Sequence, residues 1–368
     1  MRWLNDYRMR LVQIGYVIGI VLCVGQNADA DFTFGEPMNL GSTVNSPDKD
    51  SQGCISADGL TLFFVSDRPG NVGAVDIWVT TRPTQDDPWA EPVNLGPTVN
   101  SPGDDYAPYI SADGLELYFH SEQPDGYGFT DIWVTTRETP NEPWTSPVKL
   151  GPPVNGGHFD NGPCITADCL ELFFSSTRPG GLGDHDIWVA RRATTEDPWG
   201  EPVNLGPKIN SSSRDRLASV SSDELTLFFG SQRPGGHGSS DIWMTRRPTV
   251  SDDWEPPVNL GPPVNTEYGE DGPSISADGS TLYLNSTRPG GLGRSDLWQV
   301  PIIPIVDLNV DGIVDSGDMC IIVDHWGEDY PLCDIGPMPW GDGIVDVQDL
   351  IVLAEHLFEE IPSAEPVE

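Results

Sequence analysis

Residues 307–318, DLNVDGIVDSGD, carry oxygen-bearing groups at the spacing of a calcium-binding loop. Positions 1, 3, 5, 9 and 12 are Asp or Asn, position 6 is glycine, and position 7 contributes a main-chain carbonyl. Hard cations such as Ca²⁺ require an oxygen cage of this kind, whereas an ordinary Asn/Asp-rich turn would reproduce only part of it. The segment therefore predicts a calcium site formed by Asp307, Asn309, Asp311, Ile313, Asp315 and Asp318.

A second, less regular loop follows, in which DGIVD at 342–346 repeats DGIVD at 311–315. Counting back from it places Met338 and Trp340 at positions 1 and 3, where neither side chain offers an oxygen ligand. If the insertion IGPMPWG loops out, the first ligand becomes an aspartate further upstream. The ligands of this second predicted site are then Asp334, Asp342, Ile344, Asp346 and Asp349.

A different set of acidic residues recurs once every 55 residues, at Asp50, Asp105, Asp160, Asp215 and Glu270. Each lies five residues before an Ile or Val of a strand-like run, which places it near one mouth of a central channel if the repeats are arranged radially. Five carboxylates there would suit a cation or a basic ligand group. Alternatively, each one caps a loop or pairs with an arginine of the RPG loops, and recurrence in every copy favours this structural role. Those arginines are Arg68, Arg178, Arg233 and Arg288.

The residues on either side of these acids differ from copy to copy and are the better candidates for specificity. After the acid stand Ser51, Tyr106, Asn161, Arg216 and Asp271. Before it stand Lys49, Asp104, Phe159, Arg214 and Gly269. Aromatic, basic and amide side chains in one zone are what a ligand pocket requires, although neutral drift on loops yields the same mixture. We single out Tyr106, Phe159, Asn161, Arg214 and Arg216, together with the five recurrent acids, as ligand-binding candidates.

Recognisable catalytic motifs are absent from the sequence. It contains neither GxSxG nor HExxH, and its six histidines form no group with metal-ligand spacing. A glycosidase needs two carboxylates in unlike roles, and only Asp104 and Asp271 stand out from their repeat equivalents. Enzymatic activity is therefore the secondary interpretation.

The elements that carry these residues belong to a repeat of 55 residues. DIWV or DLWQ begins at Asp76, Asp131, Asp186, Asp241 and Asp296. Each copy contains four short strand-like runs separated by turn signals such as SADG and RPGGLG, and no copy has helical periodicity. Four strands per repeat, arranged radially, predict an all-β fold with one propeller blade per copy. An aromatic residue at the same place in every blade, as in the DIW tryptophans, indicates packing between blades.

The phase of the repeat predicts how the ring closes. The chain after residue 30 begins with an EPMNL segment that has no preceding blade, whereas the fifth copy stops after SDLWQV and lacks its outer strand. Closing the last blade with the N-terminal strand satisfies both ends and leaves no open edge. The sequence thus predicts a five-bladed β-propeller over residues 31–303 and a small α-helical, EF-hand-like module over residues 304–368.

The N-terminus has the composition of a signal peptide. Three arginines precede the apolar run IGYVIGIVLCVG, which ends before ADA at 28–30, so we expect residues 1–30 to be removed after Ala30. A membrane anchor, or a lipid anchor at Cys23, is a weaker alternative, because the run is short for a span and the bulky Leu22 precedes the cysteine. We expect a secreted, periplasmic or cell-surface protein with no membrane span after cleavage.

Charge and cysteine content limit the partners further. A formal net charge of −38 disfavours nucleic acid and anionic membranes as partners. The cysteines fit no zinc pattern or disulfide framework, although Cys320 and Cys333 are close enough in sequence for a local bond.

The string SADGLELYFHS, followed by a Gly-rich loop and DIWV, resembles the WD40-like β-propeller repeats of the Tol-system propeller and related envelope proteins. In that family SPDG commonly stands where this chain has SADG. The resemblance covers all five copies and implies a binding module of the cell envelope or the secreted fraction. It says little about a specific activity, because fold does not carry function.

The paired calcium loops, each with Asp at position 12 and each followed by a helical segment, resemble a type I dockerin over residues 305–361. The resemblance implies calcium as cofactor and a cohesin-like or other extracellular protein as partner. It places partner contacts at Ser316, Gly317, Val347 and Gln348, and the two pairs are unlike each other. A calcium-stapled domain without such a partner is the alternative.

Two functions remain. The first is a secreted, non-catalytic binding or scaffold protein whose propeller recognises a carbohydrate or cell-envelope ligand. The second is a dockerin-bearing carbohydrate-active enzyme, a glycoside hydrolase of polysaccharide catabolism, with its site in the propeller channel. Desolvated, asymmetric channel acids would favour the enzyme; equivalent, ion-paired acids in every blade would favour the binding protein.

Overall fold

A computed structural model describes residues 32–123, 126–306, 308, 313–328, 333, 335–336 and 344–358 of the chain. The chain divides into two compact units, of which the larger comprises residues 37–303 and the smaller contains the C-terminal helices. Among the helices in these described ranges, none is long and apolar enough to cross a membrane.

The larger unit consists of five antiparallel sheets with four strands each, one per repeat. The inner strands are β3 (Asp50–Ile55), β7 (Asp105–Ile110), β11 (Asp160–Ile165), β15 (Asp215–Val220) and β19 (Glu270–Ile275). The second strands are β4 (Thr61–Ser66), β8 (Glu116–Ser121), β12 (Glu171–Ser176), β16 (Thr226–Ser231) and β20 (Thr281–Ser286). The third strands are β5 (Asp76–Thr81), β9 (Asp131–Thr136), β13 (Asp186–Arg191), β17 (Asp241–Arg246) and β21 (Asp296–Pro304). Short outer strands complete the blades: β6 (Val93–Asn94), β10 (Val148–Lys149), β14 (Val203–Asn204), β18 (Val258–Asn259) and β2 (Met38–Asn39).

The five sheets close into a ring, as the sequence predicts. Inner strands contact one another in the order β3, β7, β11, β15 and β19, and β19 contacts β3 again. The N-terminal strand β2 supplies the outer strand of blade 5, pairing Met38 with Gln299 and Asn39 with Trp298 of β21. A four-residue helix, α1 (Gly41–Val44), follows that strand, and strand β1 (Phe32–Phe34) precedes it. The predicted five-bladed propeller with N-terminal closure is confirmed.

Apolar second-strand residues form the core between blades. Phe64, Phe119, Phe174 and Phe229 are fully buried, and they pack with the third strands of their own or neighbouring blades. Four of the five DIW-type tryptophans, Trp78, Trp133, Trp188 and Trp243, belong to these clusters; Trp188, for example, packs with Tyr118 of the preceding blade. Their predicted role in packing is confirmed.

The last glycine of each Gly-rich loop is required by close approach of two backbones. A Cβ at Gly183 would meet the carbonyl oxygen of Ser213 in the next blade far inside van der Waals contact. The equivalent glycines approach the next blade in the same way, at Gly73, Gly128, Gly238 and Gly293. This contact repeats around the ring and ties each blade to its neighbour.

The smaller unit contains helices α2 (Ser316–Asp324) and α3 (Val347–Glu355), which contact each other. Both begin with the same capping box, in which an Asp side chain accepts an N–H of the first turn and the Asp three residues later accepts the N–H of the cap. Cys320 and Cys333 are free thiols, so the local disulfide considered from the sequence is not formed.

Candidate functional site

The recurrent acids lie at the first position of the inner strands, and all five are fully buried. Each carboxylate accepts the main-chain N–H of the residue four positions earlier; Asp50, for instance, accepts from Ser46 at 2.6 Å. They therefore cap the loops that lead into the blades and do not face solvent. This arrangement favours their structural role over a ligand-binding one.

Four of the five acids are also paired with the arginine of their own RPG loop. The pairs are Arg68–Asp50, Arg178–Asp160, Arg233–Asp215 and Arg288–Glu270, with N···O distances of 2.5 to 3.3 Å. Each guanidinium also donates to the carbonyl oxygen of the residue that precedes the loop asparagine, as Arg68 does to Val44 at 2.6 Å. Blade 2 lacks this arginine because Gln123 stands in its place.

Asp105 of blade 2 is consequently a buried acid without a cationic partner among the described residues. Burial raises the pKa of Asp105 to about 6, although hydrogen bonds from Ser121 and Ser101 act in the opposite direction. Desolvation penalises the ionised carboxylate, and no guanidinium compensates for it here. This difference among the recurrent acids belongs to the frame of the propeller, because Asp105 does not line the cavity described below.

The five inner strands form a ring of β-bulges. The third residue of every inner strand has a positive φ, between 46° and 57°: Gln52, Ala107, Gly162, Leu217 and Gly272. Each bulge exposes a main-chain N–H that a side chain accepts. The strand-2 residue of the preceding blade accepts it in three cases, as His120 Nδ1 does from Gly162 at 3.2 Å. Where that residue is Val65 or Gly230, the side chain of Gln52 or Asp271 accepts instead.

Above this ring, on the side where the inner strands begin, lies a cavity of about 580 Å³. Five of the ten ligand-binding candidates line it: Tyr106, Phe159, Asn161, Arg214 and Arg216. Further lining residues come from blades 1 to 3: Lys49, Gln52, His120, Glu122, Thr130, Thr177, Asp184 and His185. None of the five recurrent acids contributes to the lining.

Aromatic rings form one wall of this cavity. Phe159 stacks on Phe129, with 4.7 Å between ring centroids and 12° between planes, and Phe129 is 68% exposed. Tyr106 stacks on His120 at 5.3 Å, and its hydroxyl donates to Asp104 at 3.0 Å. These rings hold preformed flat apolar faces at the rim, where the other blades have Ala74, Ser239 or charged residues in place of Phe129.

The opposite wall is polar and charged. Arg214 donates through Nη2 to Asp184 at 2.5 Å, and Arg216 donates to Asp271 at 2.5 Å. Hydrogen bonding from Arg214 lowers the pKa of Asp184, whereas burial and the nearby Asp104 raise the pKa of Glu122. The Asn161 amide contacts His185 Nε2 at 3.3 Å.

Burial keeps both histidines of the cavity neutral. It lowers the pKa of His120 to about 3, with a further contribution from the charge of Arg216, and it lowers the pKa of His185. Sequence reasoning overlooked these histidines together with Phe129 and Glu122. An alignment of the 55-residue copies would have found His120, because the equivalent position differs in every copy. The other copies have Val65, Ser175, Gly230 and Asn285 there.

The predicted calcium loops are only partly described. Asp307, Asn309, Asp311, Asp334 and Asp342 lie outside the described residues. The position-12 residues, Asp318 and Asp349, are fully buried and occupy equivalent places at the start of the two helices. Asp318 accepts from the N–H of Leu308 at 2.7 Å, and Asp349 accepts from that of Ile335 at 2.6 Å.

Other predicted residues of this module are placed as follows. Asp315 and Asp346 cap the helices, and the main chains of Ile313 and Ile344 precede them. Among the residues proposed to contact a partner, Ser316, Val347 and Gln348 are exposed and Gly317 is partly exposed. Within the described ranges, no cluster of three or more metal-ligating side chains occurs.

Comparison with known proteins gives a fold likeness and no family. No protein-family model and no curated protein sequence matches the chain. TolB from Acinetobacter baumannii is 14% identical over 72% of this chain, with a TM-score of 0.44, and the match covers 56% of the TolB chain. An α-L-arabinofuranosidase from Lactobacillus brevis is 14% identical over 72% of this chain and 94% of its own, with a TM-score of 0.48. An exo-β-1,3-galactanase from Clostridium thermocellum is 12% identical over 71% and 62%, with a TM-score of 0.46. Identities and scores this low assign neither a family nor an activity to the chain.

Proposed function

We propose that this chain is an exported, non-catalytic carbohydrate-binding protein whose propeller holds its ligand in the cavity at one mouth of the central channel. The observation that carries the proposal is the asymmetric lining of that cavity on an otherwise five-fold repeated frame. Flat aromatic faces beside amide, hydroxyl and guanidinium groups suit a sugar ring, which offers C–H groups to the rings and hydroxyls to the polar side chains.

A binding role fits the acids better than a catalytic one. The five recurrent carboxylates are buried, and each accepts main-chain hydrogen bonds, so none of them reaches a ligand in the cavity.

We further propose that the C-terminal module binds calcium and attaches the propeller to an extracellular protein partner of the cohesin type. The equivalent capping boxes and buried Asp318 and Asp349 support two related half-sites. Calorimetric titration of the full chain with calcium should show two binding events, one lost in Asp307→Ala and the other in Asp334→Ala. A single event that survives Asp334→Ala would remove the second loop from the proposal.

Carbohydrate binding in the cavity is tested by calorimetric titration of wild type and Phe159→Ala with short fragments of plant polysaccharides. Phe159 is partly exposed, so its truncation should spare the fold and remove the stacking face. Loss of one ring contact should weaken binding about tenfold, corresponding to ~1–1.5 kcal/mol. Val203→Ala, at an exposed position of an outer strand, is the matched control and should bind like wild type. Failure of all fragments to bind would contradict the proposal.

The second candidate function is glycoside hydrolysis, and one observation favours it. Glu122 and Asp184 line the same cavity and have pKa values displaced in opposite directions, a pattern typical of acid and base partners. Against it, the Asp184 carboxylate is occupied by Arg214. If the wild type releases reducing sugar from a polysaccharide and Glu122→Gln does not, glycoside hydrolysis would replace carbohydrate binding as the proposed function.

A further inference from the structure

The cavity at the mouth carries the opposite charge balance to the rest of the chain. The whole sequence has 57 acidic and 19 basic residues. The cavity, in contrast, is lined by three basic residues, Lys49, Arg214 and Arg216, against two acidic ones, Glu122 and Asp184. Both lining histidines are neutral, so they do not change this balance. Three cations therefore line one cavity of a strongly acidic protein, with Asp271 paired to Arg216 and Asp67 near Lys49 behind the lining.

Only part of this positive charge is neutralised by neighbours. Arg214 is held by Asp184 through both Nε and Nη2, at 3.0 and 2.5 Å. Arg216 donates through Nη2 to Asp271, but its buried Nε has no hydrogen-bond partner among the described residues. The Arg216 side chain as a whole is one-third exposed, so a ligand in the cavity can approach its guanidinium.

Lys49, in blade 1, is another cation of this cavity. Its ammonium forms no hydrogen bond or ion pair with any side chain in the described part of the protein. Burial and the nearby positive charge of Arg216 lower its pKa, whereas the carboxylates of Asp67 and Asp271 act in the opposite direction. Lys49 belongs to blade 1 and Arg216 to blade 4, so no single repeat accounts for the pair.

We propose that the cavity binds an oligosaccharide that carries an anionic substituent, a carboxylate or a sulfate, with that group between Lys49 and Arg216 and a sugar ring against Phe159. This inference rests on the proposed carbohydrate-binding function and specifies its ligand class. The anion supplies acceptors to the Lys49 ammonium and to the guanidinium of Arg216, and the aromatic face fixes the neighbouring ring. The two anionic groups share one chemistry, so the experiment includes both.

The test is calorimetric titration of the full chain with three probes: trigalacturonic acid, a κ-carrageenan tetrasaccharide, and galactotriose as the neutral probe. Lys49→Met removes the ammonium and retains the apolar stem; because this ammonium has no protein partner, the fold should tolerate the change. Lys208→Met, at the outer edge between blades 3 and 4, is the matched control. At least one anionic probe should bind about tenfold more tightly than galactotriose, since charge-assisted hydrogen bonds exceed neutral ones by this order.

In the expected result, Lys49→Met lowers the affinity for the anionic probe to that for the neutral probe and leaves galactotriose binding unchanged. Lys208→Met has no effect on the binding of any probe. Preference for trigalacturonic acid identifies the anion as carboxylate, and preference for carrageenan identifies it as sulfate. Equal binding of neutral and anionic probes, sensitive to Phe159→Ala, would overturn this inference and leave the carbohydrate function intact. Anionic binding that Lys49→Met does not change would overturn the assigned location. Absence of binding by all three would overturn the inference together with the proposed function.

Discussion

Replacing Gln123 by arginine should complete the only blade in which the recurrent acid has no guanidinium. The other four blades show the receptor for this side chain: the acid, the hydroxyl of a strand-2 serine and a loop carbonyl, as Arg68 contacts Asp50, Ser66 and Val44. Blade 2 retains all three groups, in Asp105, Ser121 and Val99. The variant Gln123→Arg therefore meets a preformed site, and the chain already has proline at position 124, as it has after the other arginines.

The expected magnitude follows from the pKa of Asp105. Burial raises this pKa from 3.8 to about 6, so the folded state binds the proton more tightly than the unfolded state. Asp105 therefore has no effect on the stability of the wild type below pH 3.8. As the pH rises from 3.8 to about 6, this residue progressively lowers the free energy of unfolding, and above about pH 6 the full destabilisation is present. A shift of this size costs about 3 kcal/mol of unfolding free energy at neutral pH. Because the arginine is itself desolvated, we expect the variant to recover ~1–3 kcal/mol of this cost.

Urea unfolding of wild type and Gln123→Arg, followed by tryptophan fluorescence between pH 3.5 and 8, measures the effect directly. The difference in unfolding free energy between the two proteins should be close to zero below pH 4 and should reach its full value above pH 6.5. Other ionisable groups change the stability of both proteins equally and cancel in the difference. Carbon-13 NMR titration of the Asp105 carboxyl should show its pKa falling in the variant.

Two amide substitutions provide matched controls. Asp105→Asn should cost little at pH 7, because it removes an uncompensated charge, whereas Asp50→Asn should cost several kcal/mol, on the order of 3–5, because it leaves the buried Arg68 unpaired. A stability difference that does not vary with pH, or equal costs for the two amide variants, would refute the assignment of Asp105 as an uncompensated buried acid.

Three further predictions concern the frame and the smaller unit. Gly183→Ala should destabilise the propeller by more than ~2 kcal/mol in urea unfolding, because its Cβ would collide with the backbone of the next blade, whereas Gly151→Ala, with nothing within 4 Å, should change little. Calcium should raise the thermal unfolding temperature of the wild type but raise it less in Asp307→Ala, as measured by calorimetry with and without chelator; identical shifts would count against the first loop. In native protein at pH 8, mass spectrometry after iodoacetamide treatment should find Cys320 alkylated and Cys164 protected, since Cys320 is exposed and burial raises the pKa of Cys164 to about 12.

Much of the fold followed from the sequence because the 55-residue step repeats the same local chemistry five times. SADG predicted a tight hairpin, and Gly59 has a φ of +70° there while Asp58 accepts the N–H of Leu60. The phase of the repeat predicted ring closure, and β2 pairs with β21 accordingly. Periodicity alone sufficed for these features, since each depends on contacts within one blade or on the need to satisfy an open strand edge.

The Gly-rich loops show where such reasoning stops. The sequence predicted residues of positive φ in RPGGLG, and Gly180 indeed has a φ of +99°. The later Gly183 has no such requirement; it is glycine because the next blade passes within contact of its Cα. No local pattern distinguishes these two reasons, because the second depends on a chain segment 30 residues away.

By itself, the sequence determined the number of blades and the way the ring closes. It also determined that the residues on either side of the recurrent acids are the candidates for the cavity lining. Tertiary structure alone decided which acids are buried and paired with arginine, and which cations gather at the cavity. Lys49 and Arg216 lie in different copies, 167 residues apart, and a repeat pattern treats them as unrelated deviations. The physical reason is that charge compensation and desolvation depend on distances across the ring, and these exist only once five separately encoded blades meet around one axis.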